Sequence, residues 1–377
     1  MIDKPCEKPI YLRQLELLQK RLRVPHPRME DIETDRRNAN SGFAGEKSMD
    51  YFLGFLDSKK YRILFNIRLE DSNKFFQMDI LLLSSEFFLI VEVKNLAGTI
   101  LLDPNFRQMI RKWNDIEECF SDPTIQVERQ RFRFQEWLIK NKFPTLPIET
   151  LIVFSNQNTL LRTTGESNYY KNVIHSEEFV QRVYSLEEKY KKEKISVKEL
   201  KKVSQQLIKQ NCPYHPNIFE KYGIQQKDIS TGVICTQCST DNLKRRKGQW
   251  YCPSCNYSDN NAHIAALLEY ALLFKTSISN SELRDFLQIS SRTVANKLLK
   301  QLNFKMVGKG NSVKYVLDIQ QLIQSLNNEL TGFDTNKSQT RAAQESTRGF
   351  RIDARQVKVD AQITQTDARR PRIDARI

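Results

Sequence analysis

Phe75-Phe76-Gln77-Met78-Asp79-Ile80-Leu81-Leu82-Leu83, followed by Phe87-Phe88-Leu89-Ile90-Val91-Glu92-Val93-Lys94, reads as two neighbouring strands of a buried sheet that carry charges where apolar residues belong. An unpaired charge in a dry interior costs several kcal/mol or changes protonation until it is neutral. Charges in such places are there to do chemistry. Side chains alternate across a strand with period 2, so Glu92 and Lys94 project from one face, and Asp79 can join them from the adjacent strand. Two carboxylates converging at a sheet edge make a hard-oxygen site suited to Mg²⁺, and a lysine beside it can hold or help deprotonate a water. That is the logic of metal-assisted phosphodiester hydrolysis.

Working outward, residues 10 to 23 carry Ile10, Leu12, Leu15, Leu17, Leu18 and Leu22 at helical spacing, and Gly45 to Leu56 read as a second amphipathic helix. Strands are predicted at about 61 to 68, 75 to 83 and 87 to 94. A helix near 124 to 141 then leads to a strand at Ile148-Glu149-Thr150-Leu151-Ile152-Val153-Phe154. Residues 184 to 210 form a charge-laced helical stretch, read as a solvated connector rather than a direct nucleic-acid contact.

The residues Gly42-Phe43-Ala44-Gly45-Glu46, Gln77-Met78-Asp79, Glu92-Val93-Lys94-Asn95-Leu96-Ala97-Gly98, Pro123-Thr124-Ile125-Gln126 and Gln130 together resemble the NERD (nuclease-related) domain of the PD-(D/E)xK nuclease superfamily. The likeness covers roughly residues 10 to 160 and rests on order and spacing, since the Glu-x-Lys tripeptide alone is also a common surface ion pair. It implies a restriction-endonuclease-like αβββαβ core, with Glu46, Asp79 and Glu92 as acidic ligands of Mg²⁺ or Mn²⁺ and Lys94 as the catalytic lysine. Gln126 and Gln130, four residues apart on one helix face, fall where the superfamily places auxiliary active-site residues. A preserved cluster of this kind can also bind nucleic acid without cutting it.

The chain has 377 residues, of which 40% are hydrophobic, enough for two or three domains with real cores. Its 59 Lys and Arg against 45 Asp and Glu give a net charge of +14, and the pI is near 9.3. Such a balance favours a polyanion, nucleic acid first and an anionic membrane surface second. No stretch reaches the 18 or more apolar residues of a membrane span, and MIDKPCEKPIYLRQLELLQK lacks the apolar segment of a signal peptide. A cytoplasmic location is expected. The odd cysteine count of 7, with two CxxC pairs, indicates reduced thiols and a metal site rather than disulfides.

Those pairs are Cys235-x2-Cys238 and Cys252-x2-Cys255, separated by 13 residues. Each CxxC presents two thiolates, and two such knuckles complete the tetrahedral shell that a structural Zn²⁺ favours, so a zinc ribbon is expected. Lys244-Arg245-Arg246-Lys247 forms a basic tip between them, suited to phosphates. Trp250 beside it reads as a packing residue. Cys212 and His215 have ligand spacing but their partner ligands are used in the ribbon, so they read as structural with a second metal as the alternative; His263 reads as a surface or packing residue, and Cys6 and Cys119 read as ordinary thiols.

Beyond the ribbon, a helix at 262 to 274 precedes Ser279 to Leu287 and Ile289 to Leu302, a spacing that resembles a helix-turn-helix. Asn303 to Leu317 then reads as the hairpin of a winged helix. Arg292, Asn296 and Lys297 would face a DNA groove while Lys309 and Lys314 touch phosphate; the same module also serves protein contacts. From 331 onward the chain is polar, with Arg-Ile-Asp-Ala-Arg at 351 to 355 and again at 372 to 376, which predicts disorder.

The domain organisation expected is therefore a helical extension at 1–40, a NERD nuclease-like domain at 41–182, a helical linker at 183–229, a four-cysteine zinc ribbon at 230–260, a winged-helix-like domain at 261–330 and a repetitive tail at 331–377. The function expected is metal-dependent hydrolysis of DNA. A DNA-binding protein that keeps the nuclease fold only as a scaffold is the alternative, and a third reading makes the partner RNA in place of DNA. No membrane partner is expected, and oligomeric state is not legible.

Overall fold

A computed structural model describes residues 1–327 apart from 24, 73, 165–166 and 240–241; the tail expected at 331–377 lies outside the described residues. Everything below belongs to one compact unit, Met1–Ile319.

In chain order the first part comprises β1 (Ile2–Lys4), α1 (Ile10–Arg21), α2 (Met29–Leu53), β2 (Arg62–Asp71), β3 (Lys74–Leu83), β4 (Phe88–Lys94), β5 (Gly98–Asp103), β6 (Gln108–Trp113), β7 (Ile116–Ser121), α3 (Pro123–Lys140), β8 (Ile148–Phe154), β9 (Thr159–Thr163) and β10 (Val173–His175). Then follow α4 (Phe179–Lys189), α5 (Val197–Gln210) and α6 (Ile218–Tyr222). Among the described residues the main sheet runs in the order β1-β2-β3-β4-β8-β10. The hairpins β2-β3 and β3-β4 are antiparallel, whereas β8 lies parallel to β4 and β10 parallel to β8.

Both faces of this sheet are covered, which is why its strands read as unbroken apolar runs rather than alternating ones. On one face Ile63, Phe65, Ile80, Leu82, Leu89 and Val91 pack against Met49 and Leu53 of α2 and Phe179 and Val183 of α4. On the other, Leu64, Leu81 and Ile90 meet Phe134 and Leu138 of α3. The expected solvated connector contributes here as well. Residues 184–210 divide into α4 and α5, and Ser196 starts the latter with a capping box closed by Glu199. Leu200, Val203 and Leu207 of α5 are buried in the same cluster, each such side chain contributing about 2 kcal/mol. Its lysines occupy the outer face only, so charge density along the sequence concealed an apolar stripe.

Two further differences concern length and layering. The second helix begins at Met29, well before Gly45, because its first half is polar with Ile32 as its buried residue and shows no stripe to count. A second sheet, ordered β7-β6-β5-β9, was not anticipated. Its β6-β7 turn uses Asn114 and Asp115, both at positive φ (49° and 60°), as the tight hairpin requires. Ile100, Leu102 and Met109 seat this sheet on Val127 of α3 and on Ile152 and Phe154 of β8.

The N-terminal segment is no free extension. The leucine stripe of α1 needs a partner, and Leu15, Leu18 and Leu22 find it in Ile218, Tyr222, Ile224 and Ile229. Arg21, 1% exposed, donates to Ser230 O (2.9 Å), Gly232 O (3.1 Å) and Glu269 Oε2 (2.6 Å from Nε). Glu269 sits on the C-terminal part, which contains β11 (Val233–Ile234), β12 (Asn242–Arg246), β13 (Gln249–Tyr251), β14 (Ser258–Asp259), α7 (Ala262–Leu273), β15 (Ser277–Ser279), α8 (Asn280–Leu287), α9 (Arg292–Gln301), β16 (Met306–Val307) and β17 (Lys314–Val316). Strands β11 to β14 make one small sheet, and β15-β17-β16 another. No described helix is long and apolar enough to cross a membrane.

Candidate active site and four-cysteine cluster

The pairing of β3 with β4 ends at Ile80 and Val91. Past that point the Asp79 carboxylate takes the place of a strand partner, accepting from Val93 N at 3.0 Å. The two strands part there, β4 continuing beside β8 to Lys94 and β3 staying with β2. A notch opens between them.

The partner of Asp79 across β2 is Asn66, which lies between the paired positions Phe65↔Ile80 and Ile67↔Met78 and adopts a φ of 51°. The pleat reverses at this point. Phe65 packs into one core layer, whereas Leu64 and Ile67 both pack into the other, and β3 shows the same slip between Met78 and Ile80. A non-glycine residue held at positive φ inside a strand is strained, and such strain gathers at functional sites. Asn66 was missed from sequence, where nothing marks its backbone. Its amide donates to Glu46 Oε2 and its carbonyl accepts from Gln77 Nε2 at 3.0 Å.

Glu46 reaches this point from α2, whose close approach depends on Gly45. A Cβ there would lie 2.6 Å from Asn95 Cβ and 2.9 Å from Ser155 Oγ. Cys6 Sγ stands 4.0 Å from Glu46 Oε2, and burial, with the Glu46 charge next, pushes its thiol up to about 12.

Helix α3 enters the notch from the other side, started by Asp122, which caps Thr124 N at 2.8 Å. Gln126 and Gln130 both point to Glu92. Glu92 is 3% exposed; its Oε1 accepts from Lys94 Nζ (2.6 Å) and Gln126 Nε2 (2.7 Å), and its Oε2 from Gln130 Nε2 (2.8 Å). Lys94 Nζ also donates to Gln126 Oε1 at 3.0 Å. Gln130 bridges the parted strands through Gln77 O at 2.8 Å, and its own Oε1 is buried without a partner.

The six residues singled out in sequence are thus gathered around one notch. Burial, the Glu92 charge and the Glu46 charge, in that order, hold the Asp79 carboxyl well above the usual range. Burial first, with Glu92 adding to it against the bond from Asn66, raises Glu46 to about 7. Three carboxylates facing one lysine leave surplus negative charge in a low-dielectric site, and a divalent cation fits that surplus. Their oxygens do not all lie within 4.8 Å of one another, as the four sulfurs described next do.

Cys235, Cys238, Cys252 and Cys255 bring their sulfurs within 4.8 Å of one another, and among the described residues no other group of three or more His, Cys, Asp or Glu is so close. The Cys235–Cys255 and Cys238–Cys252 pairs lie 3.7 and 3.6 Å apart. This is a closed four-thiol metal site compatible with a zinc ribbon. Trp250 is fully buried under it, donating to His263 Nδ1 at 3.3 Å, and burial lowers the His263 ring to about 4. Cys212 and His215 do not join a ligand set; His215 Nε2 lies 3.3 Å from Leu272 O.

The proposed nucleic-acid contacts divide. Lys244, Arg246 and Lys247 are exposed. Arg245 is a correction: alternation along β12 turns it to the packed face, its guanidinium 5.1 Å from the Trp250 ring with one nitrogen buried and unbonded. Arg292, Lys297, Lys309 and Lys314 are exposed, whereas Asn296 is half-buried and accepts from Asn280 Nδ2 at 2.7 Å, tying α9 to α8.

The mixed sheet thus parts its strands around acidic residues and a lysine. Residues 41–155 match the family model of NERD, the nuclease-related domain. No curated protein and no solved structure matches the chain.

Proposed function

We propose that the chain is a divalent-metal-dependent nuclease acting on DNA. The observation that carries this reading is the crowding of acids at the notch, where Asp79 and Glu46 are raised by burial and by the charge of Glu92, itself paired with Lys94. Glu46, Asp79 and Glu92 would hold Mg²⁺ or Mn²⁺, which polarises a phosphoryl oxygen and activates water when bound. Lys94, aimed by Glu92 and Gln126, would orient the attacking water and, as an ammonium, offset the negative charge that develops on the phosphate. Gln130 fixes Glu92 and braces the parted strands. Asp79 is held in place by Val93 N and Glu46 by Asn66.

The order α7, β15, α8, α9, then the β16-β17 hairpin supports a winged helix whose second helix meets the DNA groove. Lys309 and Lys314 then stand on the wing. Zn²⁺ in the four-cysteine site holds the ribbon, whose exposed Lys244, Arg246 and Lys247 grip phosphate. One observation favours a second reading, a DNA-binding scaffold that does not cut: both Glu92 oxygens are already engaged by the chain's own Lys94, Gln126 and Gln130. Plasmid, linear and single-stranded DNA incubated with Mg²⁺ or Mn²⁺ separates the two. Cleavage by wild type and strongly reduced cleavage by Lys94→Ala and Asp79→Ala are expected; equal survival of every substrate with all three proteins discards the enzyme.

A further inference from the structure

The outer side of α3 meets the β5-β6 turn and the short 3-10 turn Ser167–Tyr170, and a groove between them is lined by Arg107, Arg129, Phe132, Arg133 and Tyr169. None of these residues belongs to the notch. Three arginines face it against one acid, Glu128, which Arg131 already engages. Among the described residues the side chains of Arg107 and Arg129 have no ion-pair or hydrogen-bond partner, and both are exposed. Phe132 is 65% exposed and Tyr169 42%. Two exposed rings therefore share one groove with the arginines.

Position along the helix links the groove to the site. Residues seven apart return to nearly the same angle, so Arg133 follows Gln126 along one line at about 10 Å, and Arg129 lies between them. A chain of phosphates lying on Arg129 and Arg133 therefore leads to Gln126, Lys94 and Glu92. We propose that this groove holds a single-stranded segment of the nucleic acid next to the bond to be cut, with Phe132 and Tyr169 stacking unpaired bases. Guanidinium groups with rings between them fit a strand whose phosphates and base faces are both free; in a duplex the base faces are already stacked on one another. Arg133 is partly restrained, donating to Phe75 O at 3.4 Å and standing 3.9 Å from Asp71, so it acts as the fixed end of the track.

The inference rests on the nuclease reading for its position, but its test does not need cutting. Full-length protein in magnesium-free buffer is titrated into a fluorescently labelled single-stranded oligonucleotide and its duplex, read by anisotropy. Phe132→Ala with Tyr169→Ala is expected to weaken single-strand binding about tenfold or more per ring while leaving the duplex affinity unchanged. Arg107→Ala with Arg129→Ala is expected to lower the salt slope for the single strand by about 1.4, two phosphate contacts at about 0.7 each. All four side chains are exposed, so the variants keep their fold, and circular dichroism checks this. Single-strand affinity unchanged in the ring variant, or duplex affinity falling equally, overturns the proposal. If the protein binds as described yet cuts nothing when magnesium is supplied, the nuclease reading fails and the groove stands.

Discussion

The four cysteines and the three carboxylates that we propose as metal ligands are assembled in opposite ways. The thiols come from two short knuckles within 21 residues of sequence and already crowd within 4.8 Å. Glu46, Asp79 and Glu92 come from α2, β3 and β4, stand further apart, and are held by the chain's own donors, Asn66, Val93, Lys94, Gln126 and Gln130. A closed thiolate shell leaves no position for substrate, so its metal acts on the fold. The carboxylate site instead has its oxygens occupied by amide and ammonium groups of the chain, which an ion could displace. It is therefore the site that can exchange ligands.

Removing the metal should separate the two most widely. Structural zinc contributes apparent binding energies on the order of 10 kcal/mol, which become folding energy. Cys235→Ser or Cys252→Ser is expected to lose one zinc per chain by elemental analysis and to expose the amides of 233–259 to rapid hydrogen exchange. The amides of β2 to β4 should stay protected, since their core is made by other residues. Persisting protection of 233–259 in metal-free protein would erase the distinction between a structural and a reactive site.

The converse substitution acts first on chemistry. Lys94→Ala is expected to lower DNA cleavage by about 10²–10³-fold, the usual loss when one preorganised charge is taken from a reacting centre. Its thermal midpoint should fall as well, because the buried Glu92 charge loses its ammonium partner and keeps only the amide donors of Gln126 and Gln130. A large fall in stability at unchanged cleavage would make Lys94 a structural cation.

Locality also decided what the sequence could disclose. The cysteine site was legible because its spacing is its geometry. Asp79, Glu92 and Lys94 were legible for a different reason, as charges inside apolar strands, and the helix 123–140 could be placed from its stripe. The second sheet was not, since all of β7 is exposed and presents no apolar face to recognise. Asn66 was invisible because a positive φ is a property of the folded backbone and asparagine is common in loops. The burial of α1 and α5 was hidden for want of a visible partner: an amphipathic stripe says that a face is covered, not by what.

Proton linkage tests the surplus charge directly. The fold raises Glu46 to about 7 from an ordinary 4.5, so it favours the protonated carboxyl. Below the ordinary carboxylate range the group costs nothing. The penalty grows as pH rises through that range to about 7 and is complete above it. In magnesium-free urea unfolding, Glu46→Gln should therefore be more stable than wild type at pH 8 by on the order of 2 kcal/mol, with no difference near pH 4. Saturating Mg²⁺ should shrink the gain, since the ion neutralises the repulsion that the glutamine removes. A gain equal at both pH values would mean that packing, not charge, is responsible.

The smallest effect falls on the residue that ties strand geometry to the carboxylates. Asn66→Gly and Asn66→Ala both delete the amide that donates to Glu46 and the carbonyl that accepts from Gln77. They differ in the backbone. Glycine adopts a φ of 51° freely while alanine resists it, so the alanine variant should unfold about 1 kcal/mol more easily than the glycine variant. Both should shift the pH at which Mg²⁺-supported cleavage half-saturates upward by a similar amount, because the lost donor had favoured ionised Glu46. Equal stability of the two variants would mean that the strand relaxes once the side chain is gone, and the amide bond to Glu46 would then be what holds the pleat reversed. A stability gap with no movement of the pH profile would leave Asn66 a backbone device, and Glu46 would owe its position to α2 and Gly45 alone.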